Sequence, residues 1–170
     1  MSDQVTTTPH LVVRPGGLPD APLVEAMHER CSDQSLYRRF HAPLPRVSAR
    51  MTRQLIAPTG GWSLLAQVDG DVVALACAAP TSAEELDVGL LVEDRHQRRG
   101  LGARLLHGVA QEAAARGHQD IRLLAQADND AVLATVRRAG MIGRVVWEDG
   151  LLAVTVPVHR LAARDMPRTA

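Results

Sequence analysis

Residues 90–103, LLVEDRHQRRGLGA, combine an apolar β-type run, a charged turn and the start of an amphipathic helix. A turn of this kind presents backbone N–H groups to an anion. Gly100 and Gly102 carry no side chains that would block a close approach, the positive end of the helix dipole lies at the same place, and Arg98 and Arg99 add charge. The stretch has neither the Lys-Ser/Thr pair of a P-loop nor a third glycine at dinucleotide spacing, which disfavours a nucleoside triphosphate or a nicotinamide cofactor. Just upstream, EELDVGLLV brings Glu84, Glu85 and Asp87 to the start of the same run. Glu85 and Asp87 share one face of a regular strand, where a carboxylate either accepts a proton or solvates the strand's entrance. The histidines are scattered without metal-ligand spacing, and Cys31 and Cys77 lack a local nucleophile signature, so no metal site is expected.

The elements that position these residues follow from periodicity and punctuation. Residues 10–13 read as a strand that runs into the turn at Pro15, Gly16 and Gly17. Asp20 caps a helix with Pro22 in its first turn and Leu23, Val24, Met27 and Cys31 at helical spacing. Residues 32–40 form a short acidic and hydroxyl-bearing connection. A second helix then carries Val47, Met51 and Leu55, and Pro58, Gly60 and Gly61 end it. Residues 62–68 and 72–79 are β-type runs joined through Asp69-Gly70, a hairpin signal, and 86–92 make a third. Residues 100–116 are helical, with Leu101, Leu105, Leu106, Val109 and Ala113 on one stripe and Gly117 as the stop. A strand at 121–126, a helix at 130–139 capped by Asn129 and stopped by Gly140, and strands at 142–147 and 151–156 complete an α/β pattern with a mixed sheet.

A chain of 170 residues, 46% hydrophobic and 22% charged, suits one compact domain at 10–158, with 1–9 and 159–170 expected to be flexible ends. The longest apolar run, 72–80, is less than half a membrane span, and the polar start resembles no export signal. Two cysteines, one inside that apolar run, do not make a disulfide framework, so a reducing cytoplasm is expected. Nineteen basic residues balance nineteen acidic ones, and aromatics are 2% of the chain, so nucleic-acid binding is not expected. Every basic side chain is Arg, which leaves no lysine of the chain's own to be modified.

Gln97, Arg98, Arg99, Gly100, Leu101, Gly102 and Ala103 resemble the Q/R-x-x-G-x-G/A signature of the GNAT superfamily of acyl-CoA-dependent N-acyltransferases. The strand before the signature, the helix after it, and Asn129 and Gly140 in NDAVLATVRRAGM fall where that family has them. The resemblance implies a GNAT fold, a mixed, mostly antiparallel sheet of about six to seven strands flanked by about four helices. It implies acetyl-CoA as co-substrate, with no metal. Leu90, Leu91 and Val92 would offer main-chain groups to the pantetheine and thioester, 97–103 would hold the pyrophosphate, and Asn129 would help on the pantetheine side.

Residues 31–45, CSDQSLYRRFHAPLP, with Tyr37, Arg38 and Phe40 after a hydroxyl-rich turn, are similar to a segment of the bacterial protein-lysine acetyltransferases of the Pat type, as is the ending GMIGRVVWEDGLLAVTVPV. In that family a catalytic Glu lies on the strand before the cofactor residues, and the count places it at Asp87, with Glu85 as second candidate. Many GNAT enzymes carry a proton-donating Tyr at the position that counts to Val136, and Val cannot donate. The resemblance implies acetyl transfer by direct attack in a ternary complex, with a protein lysine as acceptor. A small amine such as a polyamine or amino sugar, or an acyl-CoA-binding module that has lost turnover, are the alternatives. Glu84, Glu85, Asp87, Glu93 and Asp94 together are expected to draw a cationic amine toward the thioester.

Overall fold

Residues 72–78 are buried without a break, the pattern of a strand covered on both faces. They lie in β3 (Asp71–Pro80) of a seven-stranded sheet in a computed structural model that describes residues 10–159. The other strands are β1 (Leu11–Pro15), β2 (Trp62–Val68), β4 (Glu85–Val92), β5 (Asp120–Ala125), β6 (Arg144–Glu148) and β7 (Leu151–Pro157). The spatial order is β1-β2-β3-β4-β5-β7-β6, and every neighbouring pair is antiparallel except β4 and β5. A parallel pair needs a crossover, and the helix α4 (Leu101–Ala115) supplies it.

The helix α4 and the later α5 (Asp130–Arg138) cover one face, where Leu105, Leu106 and Val109 pack against Leu86, Val88 and Ile121. The helices α1 (Ala21–Arg30), α2 (Asp33–Phe40) and α3 (Ala49–Ile56) cover the other, with Val24, Met27, Leu36 and Ile56 against Leu65, Leu75 and Leu91. Successive residues of β4 therefore alternate between two cores. None of the helices among the described residues is long and apolar enough to cross a membrane.

The sheet is the mixed, mostly antiparallel one expected, with seven strands, but five α-helices flank it instead of about four. The connection expected at 32–40 is the helix α2. Only Leu36 of its eight residues is buried, so it has no apolar stripe to announce it. Its start is nonetheless marked: the Ser32 hydroxyl accepts from the Ser35 N–H at 3.2 Å. Of the ends expected to be flexible, all but His159 lie outside the described residues.

Candidate active site

The ladder between β4 and β5 holds for three rows, Glu85↔Asp120, Leu86↔Ile121 and Asp87↔Arg122. Beyond that row the two strands run on unpaired to Val92 and Ala125, so the sheet splits into a V. On the far side of β4, the Glu93 N–H donates to the Val73 carbonyl at 2.9 Å, and main-chain groups in an antiparallel strand alternate between its neighbours. Gly89 and Leu91 thus turn their main-chain groups to β3. Val88, Leu90 and Val92 turn theirs into the V, where no strand meets them. An extended polar chain laid in the V can satisfy those groups.

At the open end of the V the backbone curls into α4. Arg98 and Gly100 both occupy the left-handed region, with φ of 59° and 83°. That curl turns successive N–H groups toward the N-terminus of a 15-residue helix, a cradle for a phosphate group. A Cβ on Gly102 would stand 3.5 Å from Thr135 of α5 and 3.8 Å from Val92, so this glycine keeps the gap between β4 and α5 open. Arg104, His107 and Arg138 line a shallow groove beside Gly100, and the Arg138 Nη1 donates to the Arg98 carbonyl at 3.5 Å.

The helix α2 spans the V on the opposite face. At its start, the Ser32 N–H (2.8 Å), Ser32 hydroxyl (2.7 Å) and Ser35 hydroxyl (2.9 Å) all donate to the Asp94 carboxylate. The Gln97 side chain donates to the Ser35 hydroxyl and to the Val92 carbonyl, each at 3.0 Å. Near its end, the Gln126 side chain, just past β5, donates to the Tyr37 carbonyl at 3.5 Å. Burial pushes the Asp94 carboxyl up, but the hydrogen bonds from Ser32 and Ser35 outweigh it and hold Asp94 below the usual carboxylate range. Burial, with Asp94 and Glu93 nearby, pushes the Cys31 thiol up to about 12, which removes it as a nucleophile at neutral pH.

Asp87 sits in the last paired row, at the apex of the V. Its Oδ1 accepts from Arg122 Nη1 at 3.3 Å, and the other end of that guanidinium pairs with Glu148 at 2.6 Å. Glu148, first among the causes, raises Arg122 above the usual guanidinium range and so keeps it charged. Asp87 leaves 43% of its side chain exposed. Glu85 lies one face-repeat further from the opening, and its carboxylate accepts from the Thr81 hydroxyl at 3.1 Å. Asp87 is therefore the carboxylate poised at the V.

The sequence pattern of the Acetyltransferase (GNAT) family matches residues 24–141. The chain belongs to the GNAT acetyltransferase family. It is an acetyl-CoA-dependent N-acetyltransferase. Among solved structures, the GNAT domain of PAT from S. lividans is 27% identical, with a TM-score of 0.77 over 88% of this chain and 96% of that one. The protein yncA of Salmonella typhimurium, solved with its cofactor acetyl-CoA, is 17% identical, with a TM-score of 0.64 over 86% and 92% of the two chains. A GNAT superfamily phosphinothricin acetyltransferase (Pat) from Sinorhizobium meliloti, in complex with acetyl-CoA, is 14% identical, with a TM-score of 0.66 over 86% and 88%. No curated protein matches the sequence.

Set against this GNAT membership, the residues expected to touch the cofactor divide by geometry. Leu90, Val92 and the backbone of 97–103 come together along the V, an edge and cradle of the kind that suits acetyl-CoA, whose extended pantetheine arm leads to a pyrophosphate. The main chain of Leu91 is committed to β3, and the side chain of Gln97 to α2. Leu101 and Ala103 bury their side chains and can offer only backbone. Asn129 precedes α5, yet its side chain makes no capping bond and stays available. Val136 is buried in the core. The acidic cluster is paired with cations only in part. Glu93 is buried between Arg30, at 2.9 Å, and Arg95, and Asp87 shares Arg122 with Glu148, while Asp94 and Glu85 are held by hydroxyl groups. No cluster suited to a metal ion occurs among the described residues. Arg122 and Arg138 were not legible as site residues in the sequence: Arg138 belongs to a pair of arginines on a helix, which usually marks a solvated face, and Arg122 is a lone arginine on β5 that only the sheet's topology brings beside Asp87.

Proposed function

We propose that this GNAT protein acetylates the side-chain amine of a lysine in a protein acceptor, with Asp87 as the proton acceptor. The observation that carries the reading is the V between β4 and β5, with a carboxylate at its apex and an anion cradle at its open end. Acetyl-CoA supplies a thioester already activated toward an amine, and the chain's residues do the rest. Val88, Leu90 and Val92 hydrogen-bond along the extended arm, and an N–H aimed at the developing oxyanion is worth about 3 kcal/mol. The Arg98–Gly100 curl and the α4 N-terminus hold the pyrophosphate.

A lysine amine has a pKa near 10.4, so presenting it neutral at pH 7 costs about 4.6 kcal/mol. Asp87, oriented by Arg122, accepts that proton directly or through one water. Attack is direct, since the Cys31 thiol sits at about 12 and cannot carry the acetyl group. Water returns a proton to the leaving thiolate, because Val136 has none to give. The choice of lysine is supported by the likeness of residues 31–45 to the Pat-type protein-lysine acetyltransferases. Incubating enzyme and acetyl-CoA with a lysate of the source organism, then mapping acetyl-lysines by mass spectrometry, should reveal sites above a no-enzyme control. Turnover of small amines with no gain on any protein would overturn the lysine reading and leave the acetyltransferase.

A further inference from the structure

The Arg39 guanidinium lies flat against Gly89 of β4, where any Cβ on Gly89 would collide with it. Gly89 and Asp87 share one face of the strand, about 7 Å apart along it, beside the apex of the V. Phe40 fixes the other side of the group, with the guanidinium carbon 5.1 Å from its ring centroid. The position is thus built from two sides, yet the charge is unmatched. None of the ion pairs among the described residues includes Arg39, and its one hydrogen bond runs to the Cys77 sulfur at 3.0 Å, a weak acceptor.

Its titratable neighbours do not pair with it. Asp87 accepts instead from Arg122, which it shares with Glu148. His28 is buried with neither ring nitrogen hydrogen-bonded, and burial, then Arg39, pushes it down to about 4, so it is neutral. His41 is pushed down by the same two causes. A half-buried guanidinium with most of its five donors unused is a fork for a carboxylate, and among the described residues no carboxylate fills it.

We propose that Arg39 is a specificity-determining residue that binds a carboxylate carried by the acceptor beside its reactive amine. The inference rests on the acceptor reading above, in which that carboxylate is an acidic residue next to the target lysine. A free amino acid would offer the same chemistry through its own α-carboxylate. Arg39 then sets amine and thioester together by a charge-assisted contact and repels an acceptor that brings positive charge alone.

The test uses two peptides that differ only in Glu or Gln beside one lysine, with the full chain and acetyl-CoA, scored as kcat/KM. Wild type should prefer the Glu peptide by about ten- to a hundredfold, the worth of one hydrogen bond to a charged group. Arg39→Gln should lose the preference and Arg39→Lys should keep part of it, and both should bind CoA and melt as wild type does. A purely structural Arg39 would lower both peptides alike and leave their ratio intact, which overturns the proposal, as does a wild-type ratio near one. If neither peptide reacts, the lysine reading fails, and a free α-amino acid against its amide then decides Arg39 by the same ratio.

Discussion

Gly100 and Gly102 occupy the same turn for different reasons, and alanine at each should separate them. Gly100 has a φ of 83°, and a Cβ there would meet nothing closer than the Arg138 Nε at 3.7 Å. Space is free, so the cost lies in the backbone: a left-handed alanine is about 1–2 kcal/mol worse than glycine. For a chain of this size that lowers Tm by about 2–8 °C, and any relaxation out of the curl removes N–H groups from the cradle. Gly102 has no such φ and sits in the first turn of α4, where alanine gains up to about 1 kcal/mol in helix propensity. Its new methyl would stand against Thr135 and Val92 at ordinary contact distance, without strain, but within the turn proposed to hold the pyrophosphate. Gly102→Ala should therefore melt at or above the wild-type temperature while its CoA affinity falls by about tenfold, one lost contact's worth. Gly100→Ala should lose both stability and affinity. Thermal denaturation and calorimetry with CoA on the same preparations read the two quantities. A Gly102→Ala protein that binds CoA as wild type does, or one that loses stability as Gly100→Ala does, would refute the assignment of space to one glycine and conformation to the other.

Asp87→Asn should keep CoA affinity and lose about a hundredfold or more in turnover, whereas Glu85→Gln should stay within a few fold; steady-state thiol release measures both, and the reverse pattern would move the base to Glu85. Arg30→Met removes one of the two partners of buried Glu93 and should cost about 1–3 kcal/mol in urea unfolding at pH 7, a loss that an unchanged midpoint would contradict. His28 has its pKa depressed on folding to about 4, so the unfolded chain takes up the proton first. The stability it contributes is complete above about pH 6.5 and is lost as the pH falls toward 4, about 3 kcal/mol in all. His28→Leu should flatten that acid slope, and an unaltered slope would show that His28 does not titrate there.

The strands and the crossover helix were legible because each carries its own signal: β2 at 62–68 has the expected bounds, and α4 shows its apolar stripe within one residue of either end. The turn at Gly100 and the helix start after it were legible for the same reason, since glycines and a helix start are local. What sequence could not show is the row at which β4 and β5 part, because a strand's apolar pattern is the same whether its neighbour stays or leaves. The α2 helix was missed because its work is done by polar side chains. Ser32, Ser35 and Gln97 act across more than sixty residues of chain, and nothing local marks that partnership.

Charge around the V is distributed unevenly. Of the five carboxylates near it, Glu93 is held by two arginines and Asp87 shares Arg122 with Glu148, whereas Asp94 and Glu85 are held by hydroxyl groups and keep their charge. A buried or half-buried carboxylate beside an arginine contributes little long-range field, since the pair is a dipole and not a charge. Attraction of that long-range kind gathers an amine without orienting it. Its placement has to come from short contacts at the mouth of the V, where α2 lies across β4. The helix α2, with a single buried residue, is held in place at both ends, by Asp94 and Gln97 on one side and by Gln126 on the other, and so is fixed across β4 where such contacts would be made.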